Sequence, residues 1–146
     1  MIKDKIDQHI KSRGHSLVCV DVDKDSPIFA YTVGLTESCQ HAELLIFGLP
    51  RQASVDILSG IIDRVNTNGP LRDGDTIETL TNFPLCVKTV PLSAAADYAN
   101  LAISQYSDRQ APTFVQIVLP DEAGKWPWDA AYDQEMTVFQ PNLWRV

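Results

Sequence analysis

The segment 36–43 carries the residue types in this chain that most readily do chemistry. Cys39, His41 and Glu43 are spaced by two residues, so in an extended chain their side chains would share one face. A thiolate activated by an imidazole, which a carboxylate orients, is the arrangement of a nucleophilic catalyst. Same-face neighbours on one strand lie about 7 Å apart, which is too far for a direct thiol–imidazole contact without a bend. We therefore favour a structural interpretation, in which His41 and Glu43 fix the turn into the next strand.

A second candidate for chemistry is the stretch QIVLPDEAGKWPWD, residues 116–129. Asp121 follows a predicted strand, and two tryptophans follow Gly124 in an irregular turn. Trp128 could give a ligand a flat apolar wall and an N–H donor. The alternative is that Asp121 caps its own turn and the tryptophans close one end of the core. We favour this alternative, and keep the ligand site as the second interpretation.

Metal, disulfide and cofactor sites find little support in the sequence. The chain has three cysteines, an odd number, which are widely spaced and form no C-x-x-C pattern: Cys19, Cys39 and Cys86. Beyond His41 the imidazoles are only His9 and His15, which we place on a helix surface and in a loop. The glycine-rich phosphate and dinucleotide motifs, the G-x-S-x-G elbow and H-E-x-x-H are absent. We expect no metal and no cofactor, although these absences exclude no enzyme.

The size and composition of the chain are those of one globular domain, which we assign to residues 1–146. The chain is 45% hydrophobic and 21% charged, as soluble domains are. Its 12 basic and 19 acidic residues give a net charge of −7 without a basic cluster, so we expect no nucleic-acid partner. The longest apolar runs are far shorter than the roughly 20 residues that cross a bilayer, and the charged N-terminus is not a secretory signal. We therefore predict a cytoplasmic protein with no membrane partner.

The apolar periodicity predicts helices and strands in runs rather than in strict alternation. We predict helices at 3–12, 51–66 and 94–106, the last beginning after Ser93 as its N-cap. The predicted strands are 16–22, 28–35, 42–49, 76–81, 84–91, 113–119 and one near 136–139, with a hairpin turn at 23–27. This order predicts an α+β fold, a mostly antiparallel or mixed sheet with two packing helices and a short N-terminal helix.

The chain resembles a family of small bacterial or phage-type proteins known as domain of unknown function 4262. The resemblance rests on FAYTVGL, HAELLIFGLP, QIVLPDEAGKWPWD and a final QP, and runs from about residue 27 to 143. It brings no established activity. The positions characteristic of the family fall here on Tyr31, Thr32, Gly34, Leu35, His41, Glu43, Gly48, Gln116, Pro120, Asp121, Gly124, Pro127, Trp128, Gln140 and Pro141.

This chain departs from the family pattern at two positions. It has Ala42 where the family usually has proline between the histidine and the glutamate, which frees the backbone there. It has Leu119 where the family usually has tryptophan before Pro-Asp, which removes part of any aromatic wall. Cys39 corresponds to no family position, so the resemblance does not favour a cysteine catalyst.

Two functions and one structural role remain open from the sequence. The first is a non-enzymatic protein-binding module of an adaptor, inhibitor or immunity type, with an unidentified protein partner. The second is a small-molecule-binding hydrolase or transferase, in which His41 and Glu43 form an acid/base pair beside Asp121. The predicted site residues are Tyr31, Thr32, His41, Glu43, Gln116, Asp121, Trp128 and Gln140. Alternatively, His41, Glu43 and Gln116 hydrogen-bond one another and lock a buried loop.

Overall fold

A computed structural model describes residues 2–20 and 27–144, which form a single six-stranded mixed sheet with helices on both faces. The strands are β1 (Ser16–Val20), β2 (Phe29–Val33), β3 (Glu43–Phe47), β4 (Thr76–Ile77), β5 (Leu85–Val90) and β6 (Phe114–Val118). The helices are α1 (Ile2–Arg13), α2 (Leu35–Ser38), α3 (Arg51–Asn68), α4 (Leu92–Ala95) and α5 (Asn100–Gln105). The predicted α+β class is therefore confirmed.

The strand order is β1-β2-β3-β6-β5-β4, and only β3 and β6 among neighbours are parallel. A parallel pair cannot be joined by a tight turn, so the chain between β3 and β6 must cross over the sheet. The crossover contains α3 and also the antiparallel pair β4 and β5. Glu43 is opposite Phe114 in the parallel register, so the first residues of β3 and β6 lie side by side at the same end of these two strands.

Two apolar cores lie on the two faces of this sheet. Helix α3 buries Ile57, Leu58 and Ile61 against one face, where Leu44 and Ile46 of β3 point. The opposite face holds Tyr31, Leu45 and Phe47 under α1, α4 and α5, which contribute Ile6, Ala95 and Ala102, together with Ala99 just before α5. Because successive strand side chains alternate between faces, the unbroken apolar run of β3 fills both cores.

Several element boundaries differ from those the sequence predicts. The single helix 94–106 is wrong: the chain forms α4 and α5 with a break between them, and Pro91 rather than Ser93 precedes α4. The strand near 136–139 is also wrong, because the 3₁₀ helix Gln134–Val138 occupies that segment, with Asp133 accepting a hydrogen bond from the backbone of Glu135. The strand predicted at 76–81 contracts to β4.

The hairpin between β1 and β2 is confirmed as an antiparallel pair in which Val18 is opposite Tyr31. Its predicted turn at 23–27, and the last two residues of the predicted strand 16–22, fall outside the described residues except for Pro27. In the described part of the chain, no helix is long and apolar enough to cross a membrane.

Candidate functional site

Glu43 is fully buried at the start of β3 and is surrounded by hydrogen-bond donors. Its carboxylate accepts from the hydroxyls of Thr32 (2.8 Å) and Thr36 (2.7 Å). It also accepts from the backbone N–H groups of Gly34 (3.3 Å), Leu35 (3.2 Å) and Thr36 (2.9 Å). These N–H groups belong to the first turn of α2 and the residue before it, which have no helical acceptor of their own. Glu43 therefore holds the bend between β2 and β3 in place.

Gly34 makes this bend possible through its backbone. Its φ is +114°, a conformation that side chains disfavour. A Cβ on Gly34 would lie 2.8 Å from Cγ1 of Ile10 and 3.0 Å from the carbonyl oxygen of Gly14. The chain after β2 can therefore turn towards Glu43 only because this residue has no side chain.

Tyr106 closes the other side of the Glu43 carboxylate. Its hydroxyl donates to Glu43 at 3.4 Å, and the guanidinium of Arg109 lies 4.9 Å from the centre of its ring. Burial, together with the nearby charge of Glu43, raises the pKa of Tyr106 to about 12. The phenol therefore stays neutral and remains a donor to the carboxylate throughout the physiological range.

His41 is buried beside this bend, and both of its ring nitrogens have partners. The backbone N–H of Leu71 donates to Nε2 at 3.0 Å, which requires Nε2 to be the acceptor. Nδ1 then carries the proton and donates to the carbonyl of Ala42 at 2.7 Å. His41 thus links the start of β3 to the loop after α3, and no hydrogen bond joins it to Glu43.

Gln116 and Gln140 attach the C-terminal segment, residues 134–144, to strand β6. Gln116 donates to the carbonyl of Pro141 at 2.9 Å and accepts from the N–H of Leu143 at 3.3 Å. Gln140 accepts from the N–H of Leu119 at 2.7 Å and donates to its carbonyl at 2.9 Å. Both amides are buried, so they replace backbone pairing for a segment that forms no strand.

Asp121 organises the turn after β6. It accepts from the N–H groups of Ala123 (3.0 Å), Lys125 (2.8 Å) and Asp133 (2.9 Å). The bonds from Lys125 and Asp133 are the main causes that lower the pKa of Asp121. Its carboxylate is therefore a local turn anchor, as the favoured sequence interpretation has it.

Trp128 is 41% exposed, but other side chains already contact its ring. Trp126 stacks on it with centroids 5.3 Å apart, and Trp144 meets it edge-on at 5.9 Å. The ammonium of Lys88 lies 4.7 Å from its ring centre. The three indoles thus form a cluster with a cation, which leaves less of Trp128 for a ligand than the sequence suggests.

The predicted site residues do not converge on one cavity. His41 and Glu43 lie where β3 and β6 begin, whereas Asp121 follows the end of β6. The four steps from Phe114 to Val118 alone span about 13 Å. Tyr31 and Thr32 lie on β2, where the Tyr31 hydroxyl accepts from the N–H of Leu101 and Thr32 bonds Glu43. The polar residues His41, Glu43 and Gln116 do lock loops, but through backbone groups rather than through one another.

The thiols of Cys39 and Cys86 lie in structural surroundings. The thiol of Cys39 donates to the side chain of Asn66 at 3.2 Å, and Cys86 is buried in the sheet. Over residues 2–20 and 27–144, no three His, Cys, Asp or Glu side chains are grouped in a way that could hold a metal ion.

An open apolar groove lies at the end of β3 and β6 that is opposite His41. Two cavities of about 390 and 310 Å³ adjoin there and share Leu49 and Phe83. We call them together the 80–83 groove, which is lined by Gly48, Leu49, Ala53, Asp56, Ile57, Leu80, Thr81, Asn82, Phe83, Leu119, Pro120, Asp121, Glu122 and Met136. Sequence reasoning missed it. The available signal was Leu80 and Phe83 in a polar stretch, which we assigned in part to a strand.

The family model for a domain of unknown function, DUF4262, matches residues 9–133 of the 146-residue chain. The chain belongs to the DUF4262 family. The match includes every characteristic position except Gln140 and Pro141, which lie beyond it. No curated protein and no solved structure matches the chain. Membership in DUF4262 therefore confirms the resemblance and carries no activity with it.

Proposed function

We propose that this DUF4262 domain is a protein-binding module, of an adaptor, inhibitor or immunity type, that docks its partner in the 80–83 groove. The observation that carries the proposal is the exposed apolar surface at this groove. Leu80 and Phe83 are 38% and 36% exposed although they are large and apolar. Contiguous exposed apolar surface on a folded domain is typical of interaction sites.

The apolar surface continues beyond the two cavities onto Val138 at the end of the 3₁₀ helix and onto Phe139 after it. Phe139 is 55% exposed and Val138 is 69% exposed. Phe139 lies against Gly48 of the groove, where a Cβ would be 3.6 Å from the Cβ of Phe139. Phe83 and Phe139 therefore belong to one end of the molecule, and aromatic side chains are common anchors of binding energy.

The charge at the groove favours a partner with basic residues around an apolar anchor. The lining includes the carboxylates of Asp56, Asp121 and Glu122 and no Lys or Arg. Asp121 is held by its turn, whereas Asp56 and Glu122 are exposed. A basic partner would gain association rate and specificity from these rim charges.

The hydrogen bonds of the buried polar residues also favour binding over catalysis. His41 has both nitrogens engaged, and Glu43 accepts from three backbone N–H groups. A general acid or base needs a free atom facing a substrate. The hydrolase or transferase hypothesis therefore has less support.

The docking proposal is tested with Phe83→Ser and a matched control, Leu92→Ser. Leu92 is 45% exposed at the start of α4, outside the groove. A partner captured from bacterial lysate by the wild-type domain is purified and titrated calorimetrically against the three proteins. We expect Phe83→Ser to lower the affinity by about tenfold or more and Leu92→Ser to leave it unchanged.

Equal binding by all three proteins would contradict docking in the groove. The enzyme alternative has its own test, a hydrolase and transferase substrate screen with wild-type protein and His41→Ala. Turnover that His41→Ala abolishes, in protein shown by circular dichroism to be folded, would replace the binding-module proposal.

A further inference from the structure

The two edges of the sheet differ in how they are protected. β4 is only two residues long and is flanked by the carboxylates of Asp75 and Glu78. β1 is five residues long and contains neither a charge nor a proline. It pairs with β2 without a bulge, from Ser16 opposite Val33 to Val20 opposite Phe29. Proteins usually protect an edge strand by making it very short or by placing a charge, a proline or a bulge in it. The strand β1 has none of these features over Ser16–Val20, so it is an edge open to pairing.

A cavity of about 270 Å³ follows the outer side of β1. Ser16, Leu17, Val18 and Cys19 all contribute to its lining. Successive strand side chains point to opposite faces, so four consecutive residues can line one cavity only along the strand's edge. No backbone group among the described residues, other than those of β2, pairs with β1.

The cavity beside β1 is apolar and basic, unlike the chain as a whole. Its other walls include the apolar side chains of Ile2 and Leu101, and Ile2 is 63% exposed. Its charged residues are Lys5 and Arg51, with no carboxylate in the lining, although the net charge is −7. His9 also lines it and bonds the hydroxyl of Ser16 at 3.1 Å.

We propose that β1 binds an extended acidic segment of another protein, which adds to the sheet as a seventh strand. Backbone hydrogen bonds to the open edge supply affinity, and alternate side chains of the added strand supply specificity. Apolar side chains of that strand pack beside Ile2 and Leu101, and its carboxylates lie near Lys5 and Arg51. A second copy fits less well, because pairing two β1 edges brings these cations together. This surface is separate from the 80–83 groove, so neither proposal depends on the other.

The test uses a fluorescein-labelled peptide of alternating Val and Glu, titrated with the whole protein by fluorescence anisotropy. The expected result is binding that weakens with added salt, because the ion pairs at the edge are exposed. Arg51→Glu should lower the affinity about fivefold or more, since it turns an attraction into a repulsion. Arg72→Glu makes the same change of charge at an exposed site away from β1 and should bind as wild type does.

A second peptide separates strand addition from charge attraction alone. N-methylation at alternate residues keeps every side chain and removes the N–H donors that pair with the edge. We expect this peptide not to bind. Equal binding by the methylated peptide, equal binding by a Val and Lys peptide, or no binding of the Val and Glu peptide would each overturn the proposal. So would an ultracentrifugation mass of two chains that excess Val and Glu peptide converts to one, since the edge would then be occupied by a second copy.

Discussion

Glu43 and its donors form a buried polar cluster in which each partner has a defined role. Three backbone N–H groups and the hydroxyls of Thr32, Thr36 and Tyr106 point at one carboxylate. Buried backbone donors must find acceptors, and a carboxylate is a strong one. Glu43, one of the candidate catalytic residues, is therefore explained by the folding of the bend beside it.

Glu43→Gln should destabilise the protein by about 2 to 4 kcal/mol. The amide nitrogen of glutamine cannot accept a hydrogen bond, so some of the donors around position 43 lose their partner. The measurement is urea unfolding followed by circular dichroism. Glu37→Gln is the control, because Glu37 is exposed and its ion pair with Arg109 spans 3.6 Å at the surface. We expect it to change stability by less than about 1 kcal/mol, and equal effects of the two variants would contradict the role of Glu43.

Tyr106 predicts how stability depends on alkaline pH. Its folded-state pKa of about 12 lies above the value of about 10 for an unfolded tyrosine, so the fold favours the neutral phenol. The contribution is complete below pH of about 10 and is lost as pH rises towards about 12. Tyr106→Phe should therefore reduce the fall in unfolding free energy over this window. An unchanged fall, measured by urea unfolding at a series of pH values, would show that Tyr106 is not its source.

Helix α1 can lie close to the end of strand β2 only because residue 34 is glycine. Gly34→Ala should destabilise the protein by about 2 kcal/mol or more, because it combines backbone strain with a clash against Ile10 and Gly14. Gly74→Ala is the matched control. Its φ is +89°, but a Cβ there has no neighbour within 4 Å, so only the strain of about 1 kcal/mol applies. Thermal unfolding of the two variants measures the difference, and an equal loss of stability would contradict the close approach.

The C-terminal segment is an element without a sheet ladder. Two buried glutamines, Gln116 and Gln140, bind its backbone and that of Leu119. A strand is held to its neighbour by a ladder of backbone hydrogen bonds. The C-terminal segment is held instead by a few hydrogen bonds between glutamine side chains and the backbone. The 3₁₀ helix at 134–138 has a local cap instead: the side chain of Asp133 accepts from the N–H of Glu135, which favours a helical turn although the composition also suits a strand.

For the whole molecule, we predict a single cooperative unfolding transition. Both cores share the same sheet, so neither face can unfold without exposing the other side of the strands. Trp126, Trp128 and Trp144 report on the C-terminal part of the chain, and far-ultraviolet circular dichroism reports on all helices and strands. The two signals should change at the same urea concentration. An earlier change in tryptophan fluorescence would show that the C-terminal part unfolds separately.

Local sequence patterns were enough to predict the fold class, the family and the helices and strands around β1 to β3, α3 and β6. These elements carry strong local patterns: the apolar run of residues 44–47, the helical spacing of Leu58, Ile62 and Val65, and the glycine after α1. Residue types and the family resemblance also singled out His41, Glu43, Gln116 and Asp121, which the structure buries.

The hydrogen-bond partners of these residues depend on how the chain packs in three dimensions. The partners of Glu43 include Tyr106, 63 residues away, and His41 accepts from Leu71, 30 residues away, so no local pattern predicts them. The break between α4 and α5, and the groove that Phe83 and Leu49 both line, depend likewise on the path of the crossover. Periodicity reports which face of an element is apolar, whereas the groove and the open edge of β1 arise from how distant elements pack.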